Sequence, residues 1–112
     1  MLIDGRDLDA WRAALKKPAK LVFFETPSNP LLELVDIAAV SKLAHEAGAS
    51  VSVDNVFATA LKQRPLENGA DIVIYPTTKH ICGQGRLMGG AVLGRRDFIF
   101  DVFLPFYRQT GA

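Results

Sequence analysis

Apolar positions along this chain follow two rhythms. Between Asp7 and Lys17 they recur at helical spacing: Leu8, Trp11, Ala14 and Leu15 share one face, and Pro18 stops the run. Between Asp36 and Ala47 the helical stripe is clearer still. Asp36 is placed to cap that helix, Ile37, Val40, Leu43 and Ala44 form its apolar face, and Gly48 ends it. Short strand-like runs lie between and after these segments. Leu21–Phe24 is continuously apolar, Ser50–Val53 alternates before Asp54 and Asn55, and Asp71–Tyr75 is introduced by Asn68-Gly69. Glu25–Pro30 (ETPSNP) is dense in turn formers and reads as a loop. Gly83–Gly90 is a glycine-rich loop, Gly90–Gly94 reads as a further strand, and Asp97–Phe106 as a closing amphipathic helix with Phe98, Val102 and Phe106 on one side.

The predicted order is helix, strand, helix, strand, short connection, strand, loop, strand, helix. Such alternation argues for an α/β fold with a sheet that is at least partly parallel. The length of 112 residues suits one small domain and not two. There is no internal repeat, no low-complexity tract and no interdomain linker.

Composition narrows the chemistry. A hydrophobic share of 49% with 22% charged residues is that of an ordinary globular chain. The formal net charge of +1 gives no reason to expect nucleic acid, an anionic membrane or a polyacidic substrate as partner. No apolar run approaches the roughly 18 residues of a membrane span, and the acidic N-terminus has no signal-peptide core. The single cysteine, Cys82, cannot close an internal disulfide, so a cytoplasmic location is expected.

In open α/β sheets, ligands bind beyond the carboxyl ends of the strands. Three predicted strands end there in polar residues: the first in Glu25 and Asn29, the second in Asp54 and Asn55, the third in Thr77, Thr78 and Lys79. An amine at a strand end can condense with an aldehyde, and a lysine bound to pyridoxal 5′-phosphate (PLP) is the commonest version. That cofactor also needs an acid against its ring nitrogen, donors for its phosphate and a partner for its ring oxygen. Asp54, Thr78 and Asn29 are chemically suited to those needs.

Four ordered motifs make a resemblance specific. ETPSNP (Glu25–Pro30), VDNVFAT (Val53–Thr59), the lysine of TTKH (Thr77–His80) and GQGRLMGG (Gly83–Gly90) resemble consecutive landmarks of the Cys/Met-metabolism PLP enzymes, the cystathionine γ-synthase-like family. The separation of Asp54 from Lys79 agrees with that family's pattern, and the match runs from about Leu21 to about Gly94. The resemblance implies part of a fold-type I, aspartate aminotransferase-like large domain, with a mainly parallel sheet flanked by helices and the Gly90–Gly94 strand antiparallel. It implies Lys79 as the catalytic lysine that holds the cofactor and moves protons, Asp54 against the ring nitrogen, and Asn29 on the ring's phenolic oxygen. Thr78 would donate to the phosphate, with Thr77 as a candidate second donor. Gly83–Arg86 is most similar to the O-succinylhomoserine sulfhydrylases. Their reaction is γ-replacement on an O-acylated homoserine with sulfide to give homocysteine; a cystathionine γ-synthase or γ-lyase segment is the alternative. Full-length members are implied to be homo-oligomers, tetramers, that act on amino-acid substrates.

Two departures from the family pattern stand out. The position three before the lysine is commonly a phosphate-binding serine. Here it is Pro76, which has neither hydroxyl nor backbone N–H. One or two charge-assisted hydrogen bonds, each worth about 1.5–3 kcal/mol, are thereby lost. The position after the lysine, commonly aromatic, is His80. Family members are also several times longer, so residues 1–112 are expected to be one partial PLP-binding large domain, unable to complete the reaction alone. A non-catalytic remnant that keeps the fold is the competing expectation.

Plainer readings stand beside these. Lys79 without the motifs is a surface lysine, Asp54 caps a turn with Asn55, Asn29 is a turn residue before Pro30, and Thr77 and Thr78 close a strand. The glycines of Gly83–Gly90 have the wrong spacing for a dinucleotide fingerprint and lead into a strand. Cys82, His80 and His45 lack the paired spacing of a metal site, and Cys82 reads as a small buried residue. Arg95 and Arg96 are a solvated pair. Phe98, Phe100, Phe103, Phe106 and Tyr107 are too many for a free surface and are expected in a core or an interface.

Overall fold

The computed structural model describes residues 1–110. Helix α1 (Leu8–Ala14) is capped by Asp7, whose carboxylate accepts from the backbone N–H of Asp9 and Ala10. Strand β1 (Leu21–Glu25) follows, and then the loop that carries Asn29. Helix α2 (Ile37–Glu46) starts under the Asp36 cap, which accepts from Ala39 N–H, and ends at Gly48 with a left-handed φ of 75°. Strand β2 (Ser50–Asp54) and strand β3 (Ile72–Pro76) are parallel to β1. Strand β4 (Gly90–Gly94) pairs antiparallel with β3, giving one four-stranded sheet in the order β1-β2-β3-β4. The chain thus has the α/β, mainly parallel architecture expected of it.

Register sorts the side chains of the sheet onto two faces. Val22, Val51, Phe24, Val53 and Val73 share one face, and the first four pack with Trp11, Ile37, Val40 and Ala44 of the two helices. Val51 and Val53 are fully buried, and each contributes about 1.5–3 kcal/mol through the hydrophobic effect. Trp11 meets Phe24 edge-on at 5.9 Å and donates its indole N–H to Gly5 O. The opposite face carries Leu21, Phe23, Ile72, Ile74, Glu25 and Asp54; Phe23 is 58% exposed. Strand β1 has a neighbour on one side only, so one edge of the sheet is open among the described residues.

Three segments differ from the sequence expectation. The connection between β2 and β3 holds a short helix, α3 (Thr59–Lys62), and a 3-10 turn at Pro65–Asn68 closed by Gly69 at φ 94°. Four-residue turns are too short to show a period. The segment after β3 is not a plain loop: Thr77–Ile81 winds as a wide turn that is kinked at Lys79. The last helix is longer than expected. A wide-turn stretch, Phe98–Phe103, runs on into α4 (Leu104–Thr110), and Pro105, which has no N–H to give, sits at the junction of the two. Its aromatic residues do not join the core. Phe98, Phe103 and Tyr107 stack on one another, while Phe100 and Phe106 stay exposed. Cys82 is half-buried, not buried, because it sits on the turn outside the helix-covered face.

Candidate functional site

The expected site residues gather at the carboxyl ends of the three parallel strands. Asp54 is the last residue of β2, and its register partner on β1 is Glu25. Because Glu25, Asp54 and Ile74 share a face, both carboxylates point away from the helices, toward the open side of the sheet. Two residues beyond Ile74, Pro76 falls on that same face. Asp54 is half-buried. One of its oxygens, Oδ1, accepts from Val56 N–H at 3.0 Å, so the turn-capping reading is realised. Its second oxygen, Oδ2, has no hydrogen bond among the described residues.

Lys79 lies three residues past the end of β3, in the wide turn Thr77–Ile81, and its backbone (φ −89°, ψ −117°) leaves the helical region there. Its side chain is exposed and makes no ion pair among the described residues. The turn is fixed at both ends. Cys82 N–H donates to Thr77 O at 2.9 Å, and Gly83 N–H to Lys79 O at 2.8 Å. The glycine loop returns to the same place: Thr77 N–H donates to Gly89 O at 2.9 Å, and Thr78 Oγ1 accepts from Gly89 N–H at 3.1 Å. Thr78 Oγ1 also donates to Gly89 O at 3.3 Å. The hydroxyl of Thr78 is therefore engaged with the loop. That of Thr77 has no hydrogen bond among the described residues and stands where a Cβ on Gly89 would come within 2.9 Å of it. A side chain at Gly89 would force the Thr77 hydroxyl to move.

Asn29 is exposed in the loop after β1, its backbone N–H reaching the Glu25 carboxylate at 3.4 Å. Its carboxamide has no partner among the described residues. Cys82 received no chemical role from the sequence, yet its sulfur accepts from Arg86 N–H at 3.4 Å. The backbone N–H of Gln84, foremost, and that of Arg86 hold its thiol pKa below the ordinary value.

These groups fit a PLP molecule chemically. A carboxylate with one uncommitted oxygen, an unpaired amine, a free hydroxyl beside a glycine and a free carboxamide lie at the ends or in the loops of adjacent strands. The same region holds a cluster that sequence reasoning missed. Asn55, Gln63, Thr26 and Tyr75 interlock beneath the strand ends on the helix side. Gln63 gave no sequence signal, since its partners are distant in the chain.

Comparison with known proteins bears on the whole segment. A family model described as Cys/Met metabolism PLP-dependent enzyme matches residues 1–112. An O-succinylhomoserine sulfhydrylase of Mycobacterium tuberculosis is 55% identical over 111 residues, covering 99% of this chain and 27% of that protein. The crystal structure of a methionine gamma lyase from Micromonospora echinospora superposes with a TM-score of 0.92 at 43% identity, covering 96% of this chain and 30% of that one. A cystathionine gamma synthase from Xanthomonas oryzae pv. oryzae, solved in complex with cystathionine, gives 0.92 at 39% identity, covering 96% and 28%. The chain thus spans between a quarter and a third of the length of these relatives. With the motifs, the parallel strand ends and the family model in agreement, the chain belongs to the Cys/Met metabolism family of PLP-dependent enzymes, whose cofactor is pyridoxal 5′-phosphate.

Proposed function

We propose that this chain is the cofactor-holding segment of a PLP-dependent enzyme that exchanges the γ-substituent of an O-acylated homoserine for sulfide, forming homocysteine. The observation that carries this reading is the placement of Asp54 and Lys79 at the ends of neighbouring parallel strands. The preference for a sulfhydrylase over a γ-lyase is supported by 55% identity to a sulfhydrylase against 45% to a methionine gamma-lyase. Residues 1–112 are read as a single partial large domain of a homo-oligomeric protein. The one cysteine of the chain suits a reducing, cytoplasmic setting.

When bound, PLP supplies an electron sink that makes bonds at the substrate's α-carbon labile. Lys79 would hold the cofactor through its ε-amine, and the same amine is suited to moving protons at the substrate's carbons. Asp54 Oδ2 would accept from the protonated ring nitrogen, and Val56 N–H on Oδ1 keeps that carboxylate oriented. Asn29 would donate its amide to the phenolic oxygen and Thr77 its free hydroxyl to the phosphate. Thr78 could add a second donor only by giving up its Gly89 carbonyl contact, which at 3.3 Å is the weaker of its two bonds.

Pro76 favours a second reading, a remnant that keeps the fold without the cofactor. One experiment separates the two. The chain is mixed with PLP, reduced with borohydride and mapped by peptide mass spectrometry, with Lys79→Ala as control. The proposal expects a pyridoxyl adduct concentrated on Lys79 and lost in the control. Adducts scattered over Lys16, Lys17, Lys20, Lys42 and Lys62, or none, refute it in favour of the remnant.

A further inference from the structure

Beneath the strand ends, on the face opposite Asp54, lies a closed set of hydrogen bonds that the proposed reaction does not use. Asn55 is fully buried, Thr26 is 1% exposed and Tyr75 8%. Gln63 Nε2 donates to Thr26 O and to Asn55 Oδ1, both at 2.8 Å. Asn55 Nδ2 lies within hydrogen-bonding distance of Tyr75 Oη (2.8 Å), Gln63 O (2.9 Å) and Thr59 O (3.1 Å). Main-chain bonds run alongside: Thr26 N–H to Asp54 O at 3.4 Å and Asn55 N–H to Ile74 O at 3.1 Å. Thr59, a β-branched residue, is held at a φ of 59°, a conformation such residues avoid, with its N–H on Asn55 O.

We propose that the Asn55–Gln63 amide pair, with Tyr75, is the positioning element that holds the Asp54 and Lys79 strand ends in mutual register. The proposal rests on the cofactor roles given to those two residues above. The ladder between β2 and β3 ends at Asp54 opposite Ile74, so past that point other contacts must set the spacing of the tips. Asn55 adjoins Asp54, Tyr75 lies four residues before Lys79, and Thr26 lies three before Asn29. One buried cluster therefore grips the root of every expected cofactor contact. It does so from behind, because Asn55 and Asp54 project to opposite faces. Carboxamides are suited to such a grip, since each brings donors and an acceptor and the set is satisfied in one geometry only.

The test compares the wild-type chain with Gln63→Met, which removes both donors at similar length, and Tyr75→Phe, which removes one hydroxyl. Hydrogen exchange is measured on the cofactor-free proteins, well below their melting temperatures. At the tip amides of Asn55 and Thr77, exchange is expected to rise about tenfold in Gln63→Met, the combined effect of its two lost hydrogen bonds. A rise of about threefold is expected in Tyr75→Phe, with Val51 and Val53 unchanged as core controls. The PLP concentration for half-maximal borohydride trapping at Lys79 should rise by the same factors, with surface lysines unaffected. Tip amides that exchange at the wild-type rate, or that rise no more than the core amides do, overturn the proposal. Should Gln63→Met fail to fold, Tyr75→Phe decides alone. A wild-type chain without a Lys79 adduct sinks the cofactor reading, and the exchange measurement still decides whether the cluster positions the strand ends.

Discussion

Asp71 ties the start of β3 to β2, and its removal has a calculable cost. Its N–H donates to Val51 O at 2.9 Å, while its carboxylate Oδ2 accepts from Val51 N–H at 2.7 Å. The same oxygen meets His45 Nε2 at 2.9 Å. Val51 is fully buried, so in Asp71→Ala its N–H loses a charged acceptor that no other protein group replaces. That costs about 1.5–3 kcal/mol. The His45 contact, with side chains 46% and 35% exposed, adds at most a few tenths. With a slope of about 4 °C per kcal/mol, Asp71→Ala should melt roughly 6–12 °C below wild type. Asp71→Asn keeps an acceptor for Val51 and should lose only about 1 kcal/mol, and His45→Ala less than that. Thermal unfolding followed by circular dichroism ranks the three. A melting point of Asp71→Ala within about 2 °C of wild type, or equal losses for Ala and Asn, refutes the reasoning.

Two further outcomes are expected at the site. Pro76 lies on the same face as Asp54, so Pro76→Ser puts a hydroxyl and a backbone N–H there; PLP affinity should rise about tenfold or more. An unchanged half-saturation in a PLP titration would place the phosphate elsewhere. For Cys82, the N–H groups of Gln84 and Arg86 lower the folded thiol pKa below its unfolded value. The thiolate is therefore the form favoured by folding. The contribution to stability is present above the unfolded pKa and is lost as pH falls through the folded one. The pH midpoint of iodoacetamide alkylation should accordingly lie below that of the urea-unfolded chain, and coincident midpoints would contradict the loop geometry.

The strands, the two ends of α2 and the rim of polar strand ends were legible in the sequence because each rests on local pattern. Asp36 caps α2 and Gly48 ends it for reasons contained within a few residues. The antiparallel course of β4 was legible only through resemblance, since GAVLG carries no direction. The Asn55 cluster was not legible. Gln63 bonds to Thr26, 37 residues away, and nothing in a run of polar residues announces which amide will be buried. Of the two places expected for the aromatic tail, core or interface, the structure excludes the core of the described residues, for a related reason. The tail's hydrophobicity signals burial, but what a residue is buried against is a property of tertiary structure. The engagement of Thr78 with Gly89 is of the same kind, because a threonine at a strand end suits a phosphate and a glycine backbone equally well.

Among the described residues the free edge of β1 starts after Lys20 and ends at Glu25. Any strand laid along it antiparallel meets a positive charge at one end and a negative charge at the other. The edge therefore selects by charge order: a strand with its base first and its acid last is the one it matches.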